Sequence, residues 1–202
     1  MAEIKAIETE YNGYKFRSRL EARWAVFFDA LGIEYQYEPE GLVLSDGSKY
    51  LPDFYLPWFS SYFEVKSLDT FYDQKKHGDA YKKISDGAYT SKWPGIIVYG
   101  DPVEYECEAF CQESDDGGGG SYWGNSGAVI GLHPSTHEPY LCFKYDRRDR
   151  SFFSDWATLK DIHFENECDY KAEDFVSMPV TMAALKARQA RFEHGETPKA
   201  RR

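Results

Sequence analysis

The apolar positions of this chain switch between two periods, and the switches predict its elements. Leu20, Trp24, Phe27, Phe28 and Leu31 recur at helical spacing, so residues 18–31 form a helix with a broad apolar stripe. Ser18 stands as its N-cap with Glu21 at the third helical position, which is a capping box, and Gly32 stops it. Period two takes over at Ile33, Tyr35 and Tyr37, a strand. Residues 42–44 and 49–56 flank Ser45-Asp46-Gly47-Ser48, a turn sequence, and read as a hairpin. Pro52 has no N–H to donate, so the second arm lies at an edge or is interrupted there. Residues 57–61 turn the chain into a strand over 62–67; a polar helix spans 70–88, and 96–99 is a short apolar strand, parallel to and buried beside the strands before that helix.

Past residue 103 the pattern weakens. Residues 113–127 contain Asp115-Asp116 and four consecutive glycines, a flexible loop that divides the chain. Beyond it, 128–132 and 140–145 pair as strands, 152–162 forms a helix, and 180–192 is a helix of basic character. The expected organisation is a core over 1–103, an acidic accessory region over 104–176 that includes the loop, and a basic C-terminal helix and tail over 177–202. The fold class is α/β, a mixed β-sheet flanked by helices, with an α+β C-terminal extension.

The strand over 62–67 carries the chemistry. Its period of two sends Glu64 and Lys66 to one face and Phe63 and Val65 to the other, into the core. Asp53, eleven positions before Glu64, supplies a second carboxylate. Oxygen ligands from Asp53, Glu64 and the Val65 carbonyl suit a hard cation that keeps waters and takes substrate phosphate, so Mg²⁺ is the expected cofactor, with Mn²⁺ as its substitute. Bound there, it would polarise a scissile phosphate and acidify a water, while Lys66 orients that water and offsets developing charge. These are the parts needed to hydrolyse a phosphodiester.

Pro52-Asp53, ten intervening residues and Glu64-Val65-Lys66 resemble the motif of the PD-(D/E)xK nuclease superfamily. A preceding helix carrying the acid Glu21, and a later strand ending in Val98-Tyr99-Gly100-Asp101-Pro102, extend the resemblance over the first half of the chain. The resemblance implies a restriction-endonuclease-like core and a metal-dependent endodeoxyribonuclease, similar to small nucleases encoded by phages and mobile elements of bacteria. It implies a metal or water role for Glu21, beside its role in the capping box. It also implies a polar or basic contact from the helix after the catalytic strand, for which Gln74, Lys75 and Lys82 are candidates. Arg17 could pair with Glu21 or meet a phosphate, and Arg19 belongs to the same basic cluster.

Charge opposes this picture in part. The formal net charge is −10, whereas a nucleic-acid binder is expected to carry a basic footprint. The deficit is uneven, with −4 over 1–103, −10 over 104–176 and +4 over 177–202. Basic residues gather at Lys15, Arg17, Arg19 and Arg23, at Lys75, Lys76, Lys82 and Lys83, at Lys144, Arg147, Arg148 and Arg150, and in the tail from Lys186. An aromatic content of 17% serves core packing first and base stacking second.

Other chemistries fit less well. Cys107 and Cys111, with His133 and His137, meet the minimal pairing for structural Zn²⁺. No glycine turn flanks either pair and Pro134 interrupts the second, so free thiols are expected, Cys142 and Cys168 included. The glycines lack a Gly-Lys-Ser/Thr sequel, so no nucleotide cofactor is expected. No apolar run reaches the ~18 residues of a membrane helix and no signal peptide opens the chain, which points to the cytoplasm of a bacterial host. Three function classes follow: a DNA endonuclease, single-site or paired in a homodimer; a catalytically silent DNA-binding module; and a protein-interaction module.

Overall fold

A computed structural model describes residues 7–91, 95–112, 122–126, 128–143, 162–164, 174 and 176–192. The chain is α/β: a mixed six-stranded sheet is flanked by helices on both faces. A small hairpin, β1 (Thr9–Tyr11) and β2 (Tyr14–Phe16), leads into helix α1 (Arg19–Leu31). Ser18 caps α1 by accepting the Glu21 N–H at 3.2 Å, and Gly32 ends it at φ 70, a left-handed conformation that costs glycine least. Trp24, Phe27 and Phe28 are fully buried on its stripe, as the spacing predicts.

The strand expected at Ile33 shrinks to β3 (Gln36–Tyr37), at the sheet edge. The arm expected over 49–56 divides. β4 (Leu42–Val43) and β5 (Lys49–Tyr50) form their own two-stranded hairpin, whereas β6 (Phe54–Leu56) joins the main sheet. The break falls at Leu51-Pro52-Asp53, where proline interrupts the ladder. A 3₁₀ turn, Pro57–Phe59, then leads into β7 (Ser61–Lys66), antiparallel to β6.

The polar helix expected over 70–88 is two helices, α2 (Leu68–Tyr72) and α3 (Gln74–Ser91). Asp73 separates them in an extended conformation, and its Oδ1 accepts the Lys75 and Lys76 N–H groups at 3.1 Å each, opening α3. β8 (Gly95–Asp101) runs parallel to β7, as expected, and is buried at every position from Gly95 to Gly100. It turns directly into β9 (Glu104–Gln112), and β10 (Tyr122–Ser126) completes the sheet in the order β10-β9-β8-β7-β6-β3. At the turn, Gly100 has φ 119, and a Cβ there would stand 2.2 Å from the Glu104 carbonyl oxygen, so only glycine fits. The boundary expected after residue 103 thus falls in the tip of a hairpin, and the expected loop over 113–127 contains strand β10.

A separate three-stranded sheet pairs β11 (Ala128–Leu132) with β12 (Pro139–Phe143), antiparallel as expected, and β12 with β13 (Ile162–Phe164), parallel. Ile162 lies in β13; the rest of the helix expected over 152–162, Lys144 to Arg150, Cys168 and the tail beyond 192 lie outside the described residues. Helix α4 (Met178–Gln189) begins earlier than expected, with Ser177 at the N-cap position but making no side-chain capping hydrogen bond, and ends before Ala190. Its Val180, Ala183, Ala184 and Ala187 are buried in the core that α1 shares with one face of the sheet. Small side chains at that spacing let two helices approach closely. The other face packs α3 and the β4–β5 hairpin around Ile84, Ile97 and Tyr99.

Candidate active site

The break at Pro52 builds the site. It leaves Asp53 at the entrance of β6, and the pairing of Phe54 with Phe63 sets that residue beside Glu64 and Val65 on β7. Asp53 and Glu64 are 2% and 6% exposed. Each is anchored by the other's backbone or its neighbour's: Asp53 Oδ2 accepts the Val65 N–H at 2.8 Å, and Glu64 Oε2 accepts the Asp53 N–H at 3.3 Å. Tyr50, delivered by the separate hairpin, donates its hydroxyl to the same Glu64 oxygen at 2.6 Å. One oxygen of each carboxylate is therefore fixed by the fold. The other meets a cation: the Arg17 guanidinium pairs with Asp53 Oδ1, and the Lys66 ammonium with Glu64 Oε1. Lys66 Nζ also lies 3.4 Å from the Val65 carbonyl oxygen.

Burial, and next the Glu64 charge, push the Asp53 carboxyl up to about 7. Burial works against the Lys66 ammonium, but Glu64 and Asp53 outweigh it and hold its pKa above the ordinary value. Burial, then Glu64, raises the Tyr50 phenol well above its usual range, so it remains a hydroxyl donor at neutral pH. Burial thus disfavours the ionised Asp53 carboxylate even with Arg17 and Lys66 in place.

Two buried carboxylates and an all-oxygen donor set fit a hard divalent cation. Asp53 Oδ1 and Glu64 Oε1 are the carboxylate oxygens that accept no backbone N–H, and the Val65 carbonyl stands beside them, 3.4 Å from Lys66 Nζ. Among the described residues no group of three or more His, Cys, Asp or Glu side chains gathers to hold a metal. Two carboxylates and one carbonyl leave coordination places for phosphate and water.

Glu21, expected in a metal or water role beside its capping box, makes three hydrogen bonds on the α1 side of the site, and its charge also acts to raise the Asp53 carboxyl. Its Oε2 accepts the Tyr37 hydroxyl at 2.7 Å and the Arg17 N–H at 3.1 Å, and its Oε1 accepts the Ser18 hydroxyl at 2.7 Å. Reaching back, it meets the backbone of Arg17 rather than that of Ser18, a variant of the capping box. Glu21 thereby fixes the backbone from which the Arg17 side chain reaches Asp53, while Arg17 Nε also bridges to Glu38 at 2.9 Å. Arg17 does not pair with Glu21 through its side chain, because that side chain is committed to Asp53 and Glu38.

A cleft of about 510 Å³ opens over Glu64 and Lys66, with Arg17, Lys49, Lys76 and Lys83 among its lining. Lys75 and Lys82, the expected contacts, do not line it, nor does Gln74. They lie about 100° round the helix from Lys76 and Lys83. The apolar phase of α3, Ala80, Ile84 and Ala88, could have selected Lys76 and Lys83, which flank it. Tyr50, Tyr37 and Lys49 carried no such signal. Arg19 lines a different groove with Arg23, Arg188 and Arg191. Cys107 is buried in the core, and His133 Nδ1 accepts the Ser135 and Thr136 N–H groups at 3.2 Å each, a turn-closing role.

Comparison with protein-family models and with curated proteins gives no match.

Proposed function

We propose that the chain is a Mg²⁺-dependent endonuclease hydrolysing DNA phosphodiester bonds, built on a restriction-endonuclease-like core of the PD-(D/E)xK type. The observation that carries this reading is the interlocked Asp53–Glu64 pair, with Lys66 against Glu64, at a cleft whose lining includes four further basic or hydrogen-bonding groups, Arg17, Lys49, Lys76 and Lys83. Mg²⁺, or Mn²⁺ in its place, held by Asp53, Glu64 and the Val65 carbonyl, supplies polarisation of the scissile phosphate and a more acidic attacking water.

The remaining work belongs to the chain's own groups. Lys66, released from Glu64, orients the attacking water and offsets charge building on the phosphate. Arg17, released from Asp53, presents a planar fork suited to two phosphate oxygens. Tyr50 keeps Glu64 in place with a proton that it does not give up at neutral pH. Lys49, Lys76 and Lys83 meet flanking phosphates, which locates the grip of an acidic protein in one cleft. A single site cuts one strand, and double-strand cleavage needs two, which a two-fold homodimer supplies.

A silent DNA-binding module is the second reading, favoured by one observation: both carboxylates already have internal cation partners. The test is incubation of the protein and Lys66→Ala with Mg²⁺ or EDTA and a panel of duplex, single-stranded, flap and branched DNA and RNA. Cleavage by the wild type alone, abolished by EDTA, supports the nuclease. Binding without cleavage selects the silent module. Neither binding nor cleavage leaves a protein-interaction module.

A further inference from the structure

The cleft over Glu64 and Lys66 has two fixed walls. The β4–β5 hairpin and the residue after it form one, with Lys49 and Leu51, and helix α3 forms the other, with Lys76, Asp79 and Lys83. The walls meet at one end, where the Asp86 carboxylate of α3 accepts the Ser45 N–H at 2.9 Å and the Ser45 hydroxyl at 2.7 Å. Alongside, a Cβ at Gly87 would stand 3.2 Å from the Leu42 side chain and 3.3 Å from the Tyr50 ring, so hairpin and helix are in full contact. Leu42, Leu44 and Tyr50 share a core with Ile84 and Ala88, and the Tyr50 hydroxyl reaches Glu64. A hairpin held at its turn, its flank and its last residue does not swing aside to admit a substrate.

The thickness of these walls decides what fits between them. Asp53 and Glu64 are buried, so a phosphate of an undistorted duplex reaches them only if the walls enter the grooves on either side of its strand. One of those grooves is ~12 Å wide and admits an α-helix or a two-stranded ribbon, and the other is ~6 Å wide and admits neither. Helix α3, roughly 10–12 Å across with its side chains, takes the wide groove. The hairpin, roughly 10 Å through strands and side chains, is left facing the narrow one. An unpaired strand has no second strand beside it and meets no such limit. The cleft volume of about 510 Å³ is that of a pocket for one small molecule, hence for a nucleotide or two and not for both strands.

The lining points the same way. Leu51, on the hairpin wall, is a large apolar side chain left 38% exposed. A duplex turns sugar and phosphate outward and its bases inward, whereas an unpaired strand offers base faces to an apolar wall and phosphates to Lys76 and Lys83 opposite. Asp79 lies three residues after Lys76 and four before Lys83, so two cations on the same helix flank and outweigh its charge.

We propose that the strand cut at this site is unpaired, single-stranded or flap DNA threaded between α3 and the β4–β5 hairpin, and that the hairpin is the element that rejects duplex. The inference rests on the nuclease reading and names the structure of its substrate.

The experiment follows cleavage by the full-length protein in Mg²⁺ of one end-labelled strand, presented alone, in a perfect duplex and in a duplex with a short unpaired bubble. The free strand should be cut with a kcat/KM at least ~10-fold above that of the duplex, and the cuts in the third substrate should fall inside the bubble. A smaller preference, or a preference for the duplex, overturns the inference and leaves the nuclease reading standing. Fluorescence anisotropy in Ca²⁺ separates binding from chemistry. A free strand bound at least ~10-fold more tightly than the duplex, with no substrate cut in Mg²⁺, supports the cleft assignment and sinks the nuclease; equal binding without cleavage overturns both. Asp86→Ala releases the hairpin turn at an exposed position, and thermal melts check its folding. It should cut the duplex at least ~3-fold faster than the wild type, with kcat/KM on the free strand within ~2-fold. A variant that melts like the wild type and discriminates as strongly overturns the role of the hairpin. Leu51→Ser, at a position outside the core, should weaken free-strand binding in Ca²⁺ by at least ~3-fold, and a loss of equal size on the duplex overturns the base contact.

Discussion

Asp53 bears the electrostatic cost of the site. Burial and the neighbouring Glu64 charge push its carboxyl up to about 7, against about 3.9 for a free aspartate. Between those values the folded chain holds more proton at this group than the unfolded chain does. Its contribution to stability is therefore greatest at the acid end and falls as pH rises from about 4 to about 7. Asp53→Asn removes that dependence: in EDTA its melting temperature should vary less across this window than that of the wild type, and it should not cleave DNA. Melting curves at stepped pH check the first, and a steeper dependence in the variant would show that burial is not what raises the group. Glu21 gives a second prediction, because its three hydrogen bonds position Arg17 instead of reaching Asp53 or Lys66. Glutamine keeps one acceptor oxygen and loses the charge, so Glu21→Gln should cost about 1–2 kcal/mol in denaturant unfolding. Its kinetics should show a raised KM with kcat within ~3-fold, because looser placement of Arg17 weakens binding of ground state and transition state alike. A ~100-fold fall in kcat at retained stability would instead place the carboxylate beside the reacting groups.

At the scale of elements, helix phase decides which lysines face the substrate. Lys76 and Lys83 flank the buried phase of α3 and line the cleft, and Lys75 and Lys82 do not. Lys76→Ala and Lys83→Ala should each make the salt slope of DNA binding shallower by about 0.9, with Lys75→Ala and Lys82→Ala close to the wild type. Titrations in Ca²⁺ compare the four, and an equal effect from Lys75→Ala would mean that the strand runs over the outer face of the helix. The same logic separates what the sequence could reveal from what it could not. Helix α1 was readable to its ends because its stripe, its Ser18 cap and its Gly32 stop agree. Asp53, Glu64 and Lys66 were readable because strand period and motif spacing coincide. Strand β9 was hidden by its acids, although Tyr105, Cys107 and Ala109 pack on the α1 face at period two. Glu108, in a position that looks solvated, is buried and accepts from Tyr99 at 3.0 Å beside His77 at 3.1 Å. Tyr50 was out of reach for another reason: its contact with Glu64 exists only because the chain changes sheets at Pro52.

For the whole molecule, the sheet ties together stretches that composition separates. The first 103 residues contain every proposed active-site group, yet they end in the turn between β8 and β9. Cutting there leaves β8, buried at six consecutive positions, as an unpaired apolar edge. It also removes Cys107, Ile130, Leu132 and the buried face of α4 from the core around Trp24, Phe27 and Phe28. Each large side chain exposed in this way forfeits about 1.5–3 kcal/mol, and a domain's total stability is only about 5–15 kcal/mol. The acidic accessory strands are therefore structural partners of the site, whatever else they bind. A fragment of residues 1–103 should associate or precipitate and should show no cooperative thermal transition, whereas the full chain melts cooperatively. Size-exclusion chromatography and thermal circular dichroism measure both. A monomeric fragment with a cooperative melt would mean that the first four strands of the sheet and α1 to α3 suffice as a core, and that β9, β10 and α4 are additions to it.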